Sequence, residues 1–168
     1  MQRTQLGHMA CSIARTMDVI GEWWTPLILR DLFVGLSRFD DLRRDLEIAT
    51  NVLTDRLATL AEHGVVERRR YQYRPDRYEY LLTDKGRDLF GVVATLVRWG
   101  DRWEAGPDGP PMLMVHDDCG LVTAPVLTCE HCAGELRSDT VTGIAGPGGR
   151  IGPGTALIGP LLAARAED

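Results

Sequence analysis

Several hallmarks of membrane proteins, secreted proteins and enzymes are missing from this sequence. No apolar run approaches the roughly 20 residues that a membrane-spanning helix needs. Residues 1–9 are polar and lack the apolar centre of a secretory signal. The sequence also shows no nucleophile triad, no general base and no phosphate-cradling glycine loop. We therefore expect a cytoplasmic protein that is not an enzyme and has no membrane partner.

A net basic charge, which would favour nucleic acid as a partner, is missing as well, because the formal net charge is −5. The charge is distributed unevenly. Residues 1–104 hold 16 Lys and Arg against 16 Asp and Glu, whereas residues 105–168 hold 3 against 8. Within the neutral part, residues 68–77 contain five arginines and one acidic residue. A local cluster of this kind indicates phosphate binding more directly than the total charge does.

The stretch from residue 38 to residue 82 combines the patterns of two helices and a hairpin. Apolar residues recur at helical spacing in two segments, formed by Phe39, Leu42 and Leu46 and then by Leu53, Leu57 and Leu60. Thr50 is expected to cap the second helix and Gly64 to end it. Strand-like runs follow at 65–73 and 77–82. This order predicts a winged helix-turn-helix, in which the second helix enters the major groove and the hairpin, the wing, lies along the phosphates.

The predicted recognition helix, residues 50–63, and the wing supply the candidate DNA contacts. Asn51 is a natural base reader because an amide can bond adenine at two edges, and a second helix-capping residue is the other interpretation. Thr50 and Thr54 are candidates for contact with phosphate or a thymine methyl group. The arginines expected to hold the phosphate backbone are Arg43, Arg56, Arg68, Arg69, Arg70, Arg74 and Arg77. For the wing arginines the alternative is a solvated hairpin face, but their place directly after a helix-turn-helix favours phosphate contact.

Helices are also predicted on both sides of this motif. One covers Cys11 to Ile20, another begins at Thr25-Pro26, and a long one runs from Thr83 to Glu104. The long helix carries apolar residues on two sides, which is more than a terminal helix needs to cover one small domain. A large residual apolar patch usually marks an interface, so we predict a homodimer formed through this helix.

Three of the four cysteines belong to two short repeats. H-x-x-C-G contains His116 and Cys119, and C-x-x-C-x-G contains Cys129 and Cys132. A two-residue gap lets both side chains of a pair reach one metal ion, so the repeats predict a zinc ribbon with a structural Cys3His site. His131 competes with His116 as the fourth ligand. A Cys129–Cys132 disulfide, thiol exchange and metal-free relics of the motif are the alternatives.

Cys11 stands alone in the sequence. Free cysteine is among the most buried residue types, so a small buried hydrophobe is the first interpretation. Redox sensing is the second, and it would need a helix N-terminus or a neighbouring cation such as Arg15 to favour the thiolate.

The stretch C-S-I-A-R-T-M-D-V-I-G-E-W-W-T-P-L-I-L-R-D-L, residues 11–32, resembles the opening of HxlR-type winged-helix regulators. The likeness continues through R-F-D-D-L, L-T-D-R-L-A-T-L, H-G-V-V-E-R and Y-E-Y-L-L-T-D-K-G, and it covers residues 11–103. It implies a bacterial transcription regulator whose first and last helices form a dimer contact and which responds to electrophiles, oxidants or metabolites. It also implies a sensing role for Cys11 in some members. Two regions depart from the family pattern. The recognition helix has no lysine or arginine at its start, and the family domain does not include the residues after Ala105.

These observations predict a mainly α fold with a small β-hairpin wing, followed by a short β-rich, zinc-ribbon-like appendage. The expected domains are 1–104 for DNA binding and dimerisation, 105–111 as a linker, 112–140 as the zinc ribbon and 141–168 as a Gly/Pro-rich tail, either disordered or ending in a short helix. The predicted function is that of a dimeric transcriptional repressor or activator that binds operator DNA and responds to a small-molecule or redox signal. The alternative is a winged helix used for protein contact, with the ribbon as a docking module.

Overall fold

The computed structural model describes residues 5–165, and within them the chain is mainly helical with two small antiparallel hairpins, as predicted. The elements are, in chain order, α1 Ser12–Ile20, α2 Trp24–Phe33, α3 Phe39–Asp45, α4 Thr50–Glu62, β1 Val66–Tyr73, β2 Asp76–Leu82, α5 Asp84–Asp88, α6 Phe90–Trp103, β3 Met114–His116, β4 Leu121–Thr123 and α7 Ile158–Ala164. The chain forms two compact units. One runs from Trp24 to Leu127, and the other combines the chain up to Trp23 with the chain from Thr128 onward. Among the described residues, no helix has both the length and the apolar character that crossing a bilayer requires.

The core of the Trp24–Leu127 unit is built from one face each of α2, α3 and α4. Its fully buried apolar side chains are Ile28, Leu29, Leu42, Leu53, Leu57, Leu60 and Val65. The predicted stripe on α4 is confirmed, because residues at this spacing share one face of a helix. Full burial of such a side chain is worth about 1.5–3 kcal/mol. The stripe therefore holds α4 by its inner face and leaves the opposite face to solvent.

The start of α4 differs from the prediction that Thr50 caps the helix. The N-cap is Ala49, which makes no side-chain capping bond, and Thr50 is the first helical residue. The preceding Ile48 is only 3% exposed, so an apolar contact with the core fixes this end of the helix. At the other end Gly64 has a φ of +67° and ends the helix as predicted.

The wing is the hairpin of β1 and β2. Val66 pairs with Leu82, Arg69 with Glu79 and Tyr73 with Asp76. The register shifts between Arg70 and Gln72, and the intervening Tyr71 has no directly paired partner. Both predicted strands are confirmed, and each begins within one residue of its predicted start.

The short helix α5 fastens the wing to the end of α4. Thr83 caps α5 by accepting a hydrogen bond from the Gly86 amide at 3.1 Å, and it donates its own hydroxyl to the Gly64 carbonyl at 2.6 Å. Lys85 Nζ donates to the His63 carbonyl at 2.7 Å. The last carbonyls of a helix have no partner within it. Here, two carbonyls at the C-terminal end of α4 are satisfied by the segment that opens α5.

The prediction of one long helix from Thr83 to Glu104 is wrong. The chain forms α5 and then α6, with Leu89 between them. The Leu89 amide donates to the Gly86 carbonyl at 3.1 Å, a bond to the third preceding residue, which tightens the last turn of α5 and separates it from α6. The large apolar side chains that α6 leaves exposed are Phe90, Val92, Leu96, Trp99 and Trp103.

The hairpin of β3 and β4 lies in the same unit. Met114 pairs with Thr123, and His116 pairs with Leu121. The second strand of this hairpin ends at Thr123, since Pro125 just beyond it has no amide hydrogen for a ladder bond. The Pro125 carbonyl accepts a hydrogen bond from Arg98 of α6, which ties this segment to the helix.

In the second unit, the tail forms a short helix, which is one of the two outcomes left open by its sequence. This helix, α7, is bonded to the Gly/Pro-rich stretch before it, since the Ala145 amide donates to the Leu162 carbonyl at 3.1 Å. Thr155 is 7% exposed and donates its hydroxyl to the Arg150 carbonyl at 2.6 Å. These bonds replace the apolar core that the tail composition does not provide.

Candidate nucleic-acid interface

The first turn of α4 presents the predicted DNA-reading side chains to solvent. Thr50, Asn51 and Thr54 are all exposed, and Asn51 lies opposite the buried stripe of the same helix. Within the described residues, the side-chain amide of Asn51 makes no hydrogen bond, and the N-cap of the helix is Ala49. The structure thus gives no support to a capping role for Asn51. Thr54 donates its hydroxyl to the Thr50 carbonyl at 2.8 Å, so it presents its methyl group more readily than its hydroxyl to DNA.

Three of the wing arginines have carboxylate partners. Arg69 Nε lies 2.8 Å from Glu79 Oε1, directly across the hairpin, and Glu79 is only 17% exposed. Arg70 lies 3.5 Å from Asp76, and Arg77 lies 3.6 Å from Asp40 on α3, and all four of these side chains are partly exposed. Surface ion pairs contribute about 0–1 kcal/mol each. Arg70 and Arg77 can therefore exchange their partners for phosphate at little cost, whereas Arg69 is held more firmly.

Tyrosines hold several arginines by stacking, and the sequence prediction did not include these tyrosines. The Arg68 guanidinium lies 3.4 Å from the centre of the Tyr78 ring, and that of Arg70 lies 4.0 Å from the Tyr73 ring. Arg38 stacks on Tyr71 at 4.8 Å. Stacking restricts the side-chain rotamers before any ligand binds. The signal was present in the sequence as the mixture of arginines and tyrosines from residue 68 to residue 80.

A groove of about 570 Å³ lies between α4 and the wing, and it joins the two groups of predicted contacts. Thr54 lines it from α4, while Arg68 and Arg77 line it from the hairpin. Tyr80 forms part of its floor, and burial raises the pKa of this phenol, so that it stays protonated. Of the other predicted contacts, Arg43 is exposed near the end of α3, Arg56 is partly buried on α4, and Arg74 is exposed in the hairpin turn.

Each predicted metal-binding pair forms a local turn of its own. His116 Nδ1 lies 3.4 Å from Cys119 Sγ, and Gly120 follows in a left-handed conformation with a φ of +69°. In the other pair, hydrogen bonds from the His131 and Cys132 amides lower the pKa of the Cys129 thiol. Imidazole and thiolate are suitable zinc ligands. However, no group of three or more His, Cys, Asp or Glu side chains within residues 5–165 is placed to hold a metal ion, and the four-ligand site stays a prediction.

Cys11 occupies the N-cap position of α1 and is partly buried. The cation considered for it, Arg15, donates to Ser12 Oγ at 3.3 Å, and the Arg15 amide donates to the Cys11 carbonyl at 3.2 Å. The Cys11 thiol makes no capping hydrogen bond to α1, and the Arg15 guanidinium is bonded to Ser12, so redox sensing through Cys11 stays a prediction.

Comparison with known proteins places these features in a family context. Residues 19–107 match the HxlR-like helix-turn-helix model. An uncharacterised HTH-type transcriptional regulator of Mycobacterium bovis is 43% identical over 137 residues, which cover 82% of this chain and 87% of that protein. A crystal structure assigned as a transcription factor superposes with a TM-score of 0.73 at 34% identity, covering 83% of this chain and 97% of that one. The redox regulator HypR in its reduced form gives a TM-score of 0.52 at 33% identity, covering 55% of this chain and 92% of HypR.

The similarity to the mycobacterial protein also bears on the C-terminal extension. It covers 137 residues, whereas the family model ends at residue 107. The similarity must therefore continue beyond the DNA-binding motif. The extension is thus shared in part with that relative.

Proposed function

Because the chain belongs to the HxlR-like helix-turn-helix family of transcriptional regulators, we propose that it is a dimeric, cytoplasmic repressor or activator of transcription. The first turn of α4 enters the major groove of operator DNA, and the arginines of the wing contact the phosphates. One observation carries this proposal: the exposed Thr54 of α4 and the wing residue Arg68, which stacks on Tyr78, line the same groove.

The direct test is to titrate a random-sequence DNA duplex with the protein at several salt concentrations and to measure binding by fluorescence anisotropy. Phosphate contacts release counterions, so log K is expected to fall linearly with log salt, by about 0.9 for each phosphate neutralised. Binding that is insensitive to salt, or no binding at low salt, would contradict the proposal. Selection of bound fragments from genomic DNA would then identify the operator.

The homodimer is proposed from the surface of α6. Phe90, Trp99 and Trp103 are each more than half exposed on this helix. Exposed aromatic side chains of this number are costly in a monomer and typical of an interface. A two-fold dimer would also present two copies of α4 to successive major grooves.

Replacing Trp99 and Trp103 together with glutamate is expected to convert the dimer into a monomer. Charges at the centre of an apolar interface lose their hydration without gaining a partner. Sedimentation velocity measures the result. The matched control is Leu157→Glu, which changes a side chain that is 83% exposed outside α6 and should leave the dimer intact. A double variant that sediments like the wild type would rule out this interface.

We propose Cys11 as the residue through which a redox signal acts. Support comes from its place at the N-cap of α1 and from the 33% identity to HypR, a redox regulator. Oxidation would convert the thiol into a larger, polar group at the start of the helix.

We also propose a structural zinc ion held by His116, Cys119, Cys129 and Cys132, on the strength of their spacing. The expected result is one zinc per chain by mass spectrometry, with only Cys11 reacting in a thiol titration. Cys132→Ala is expected to abolish zinc binding, whereas Cys11→Ala is the matched control that keeps it. Metal-free protein in which all four thiols titrate would contradict the site.

A further inference from the structure

A second cavity, of about 630 Å³, lies on the side of the unit formed by α2 and α6. Its walls are largely apolar and include Leu27 and Val34 from α2 and Val93 and Val97 from α6. Pro111, the last residue of the predicted linker, and Met112 line it as well. Small-molecule sites usually have volumes of about 300–1,000 Å³ and apolar walls with a few polar groups. This cavity therefore has the size and lining of a ligand site.

Asp31 is the polar group that gives this cavity its chemistry. The residue is 1% exposed and lines the cavity. Its Oδ1 accepts two hydrogen bonds from Arg30, at 2.8 and 2.6 Å. Its Oδ2 is also buried and has no hydrogen-bond donor in the part of the chain that the structure describes. Burial raises the pKa of this carboxyl, and the neighbouring Asp45 carboxylate adds to the rise. A buried acceptor without a donor is costly, so a donor from a ligand would be stabilising here.

The charges around the cavity favour a cation as that donor. Asp45, Asp101 and Glu104 line the cavity together with Asp31, and Arg30 is the cation among the lining residues. Arg30 Nη2 also lies 3.4 Å from Asp45 Oδ2, so its charge is shared between two carboxylates. Carboxylates outnumber cations at this site, which attracts a positively charged ligand and disfavours an anionic one.

We propose that this cavity binds a small amphiphilic amine, with the ammonium group on Asp31 Oδ2 and the apolar body between α2 and α6. The proposal rests on the proposed function, because it makes the amine the effector of a transcription regulator. The cavity is lined by α2, α6 and Asp45 at the end of α3. An amine that fills it would change how α6 packs on the DNA-binding elements. A ligand shifts this equilibrium only if it binds one arrangement better than the other.

The test uses the full chain and tryptamine as the probe, with tryptophol and indolepropionic acid as neutral and anionic analogues. Isothermal titration is expected to show tryptamine binding about tenfold or more tightly than tryptophol, and no binding of the acid. Asp31→Asn should remove most of the preference for the amine. Asp45→Asn, at a half-exposed position, should reduce this preference severalfold. Asp88→Asn is the matched control, because Asp88 is exposed outside the cavity and its change should have no effect.

Equal affinity for tryptamine and tryptophol, or unchanged amine preference in folded Asp31→Asn protein, would overturn the proposal. Circular dichroism of the variants establishes folding. Sedimentation velocity on the same samples tests whether a second copy of the chain, rather than an amine, covers the cavity. If amine binding weakens as the chain self-associates, the partner covers the cavity and the proposal fails. Amine binding is measured without DNA, and DNA binding without amine, so the failure of this site and the failure of the regulator assignment give different results.

Discussion

Replacing Arg68, Arg69 and Arg70 with alanine is expected to weaken DNA binding strongly and to reduce its dependence on salt concentration. These arginines are consecutive on β1 and exposed, and they are the densest positive charge in the wing. Each cation that neutralises a phosphate contributes about 0.9 to the slope of log K against log salt. Loss of the wing contacts should weaken binding at low salt by about a hundredfold or more. Fluorescence anisotropy with a random-sequence duplex measures both quantities.

The three arginines should not contribute equally. Arg69 is held by Glu79 at 2.8 Å, and Glu79 also lies 3.5 Å from the Ser37 hydroxyl. To contact phosphate, Arg69 would have to leave a partly buried carboxylate, which is costly. The slope of log K against log salt is therefore expected to fall by about two rather than three for each protomer. Arg68→Ala and Arg70→Ala should account for most of this change.

The control for this experiment changes the total charge by the same amount elsewhere. Arg15, Arg102 and Arg137 are exposed and lie outside the wing. Their triple alanine variant should bind DNA with a slope close to that of the wild type. If instead the wing variant binds DNA normally, the winged helix would be better explained as a surface for protein contact. The carboxylates of Asp40, Asp76 and Glu79 would then be the permanent partners of the wing arginines.

The second large effect is expected from Gly86→Ala, which should destabilise the fold. A Cβ at residue 86 would lie 2.1 Å from the Val65 carbonyl oxygen, a distance that real Cβ contacts do not reach. The Val65 carbonyl already accepts a hydrogen bond from the Thr83 amide at 3.1 Å, so it cannot move without breaking the bond that joins the residue before β1 to the N-cap of α5. Overpacking against backbone costs about 3 kcal/mol or more when neither side can relax. Thermal unfolding followed by circular dichroism should show a loss of about 10 °C in Tm.

Gly91→Ala is the matched control, because the same methyl group is added to a helix only five positions later. At Gly91, the added Cβ meets nothing within 4 Å. Alanine favours a helix over glycine, so this variant should be as stable as the wild type or more stable by about 0.5 kcal/mol. Equal Tm values for the two variants would show that α5 and the start of β1 can separate without cost.

Much of this fold could be predicted because its signals are local. The stripe of Leu53, Leu57 and Leu60 repeats at the helical period, and Gly64 marks the end of the same helix. The wing strands follow from the alternation between residues 65 and 82 and from the turn that divides them. For such elements the neighbouring residues in the sequence are also the ones that decide the structure.

Features that depend on distant contacts were beyond the sequence. The N-cap of α4 is Ala49 because the preceding Ile48 is buried by other elements. The burial of Ile48 depends on tertiary packing, so the local sequence does not reveal it. Asp31 stands in an apolar helix next to Arg30, as an ordinary surface pair would. Only the packing of the unit shows that one carboxylate oxygen of Asp31 has no donor among residues 5–165. The pairing of Arg77 with Asp40 likewise depends on how the wing meets α3.

The attachment of α5 to the end of α4 has a mechanical consequence. The hydrogen bonds from Thr83 and Lys85 to the Gly64 and His63 carbonyls join the recognition helix and the wing into one block. The helix α4 cannot tilt unless the hairpin tilts with it. The angle between α4 and the wing is therefore fixed before the protein binds DNA. The regular helix is interrupted only afterwards, at Leu89, and α6 begins at the next residue. A signal that moves α6 therefore changes the distance between the two DNA-binding blocks of the proposed dimer, and the structure of each block stays the same.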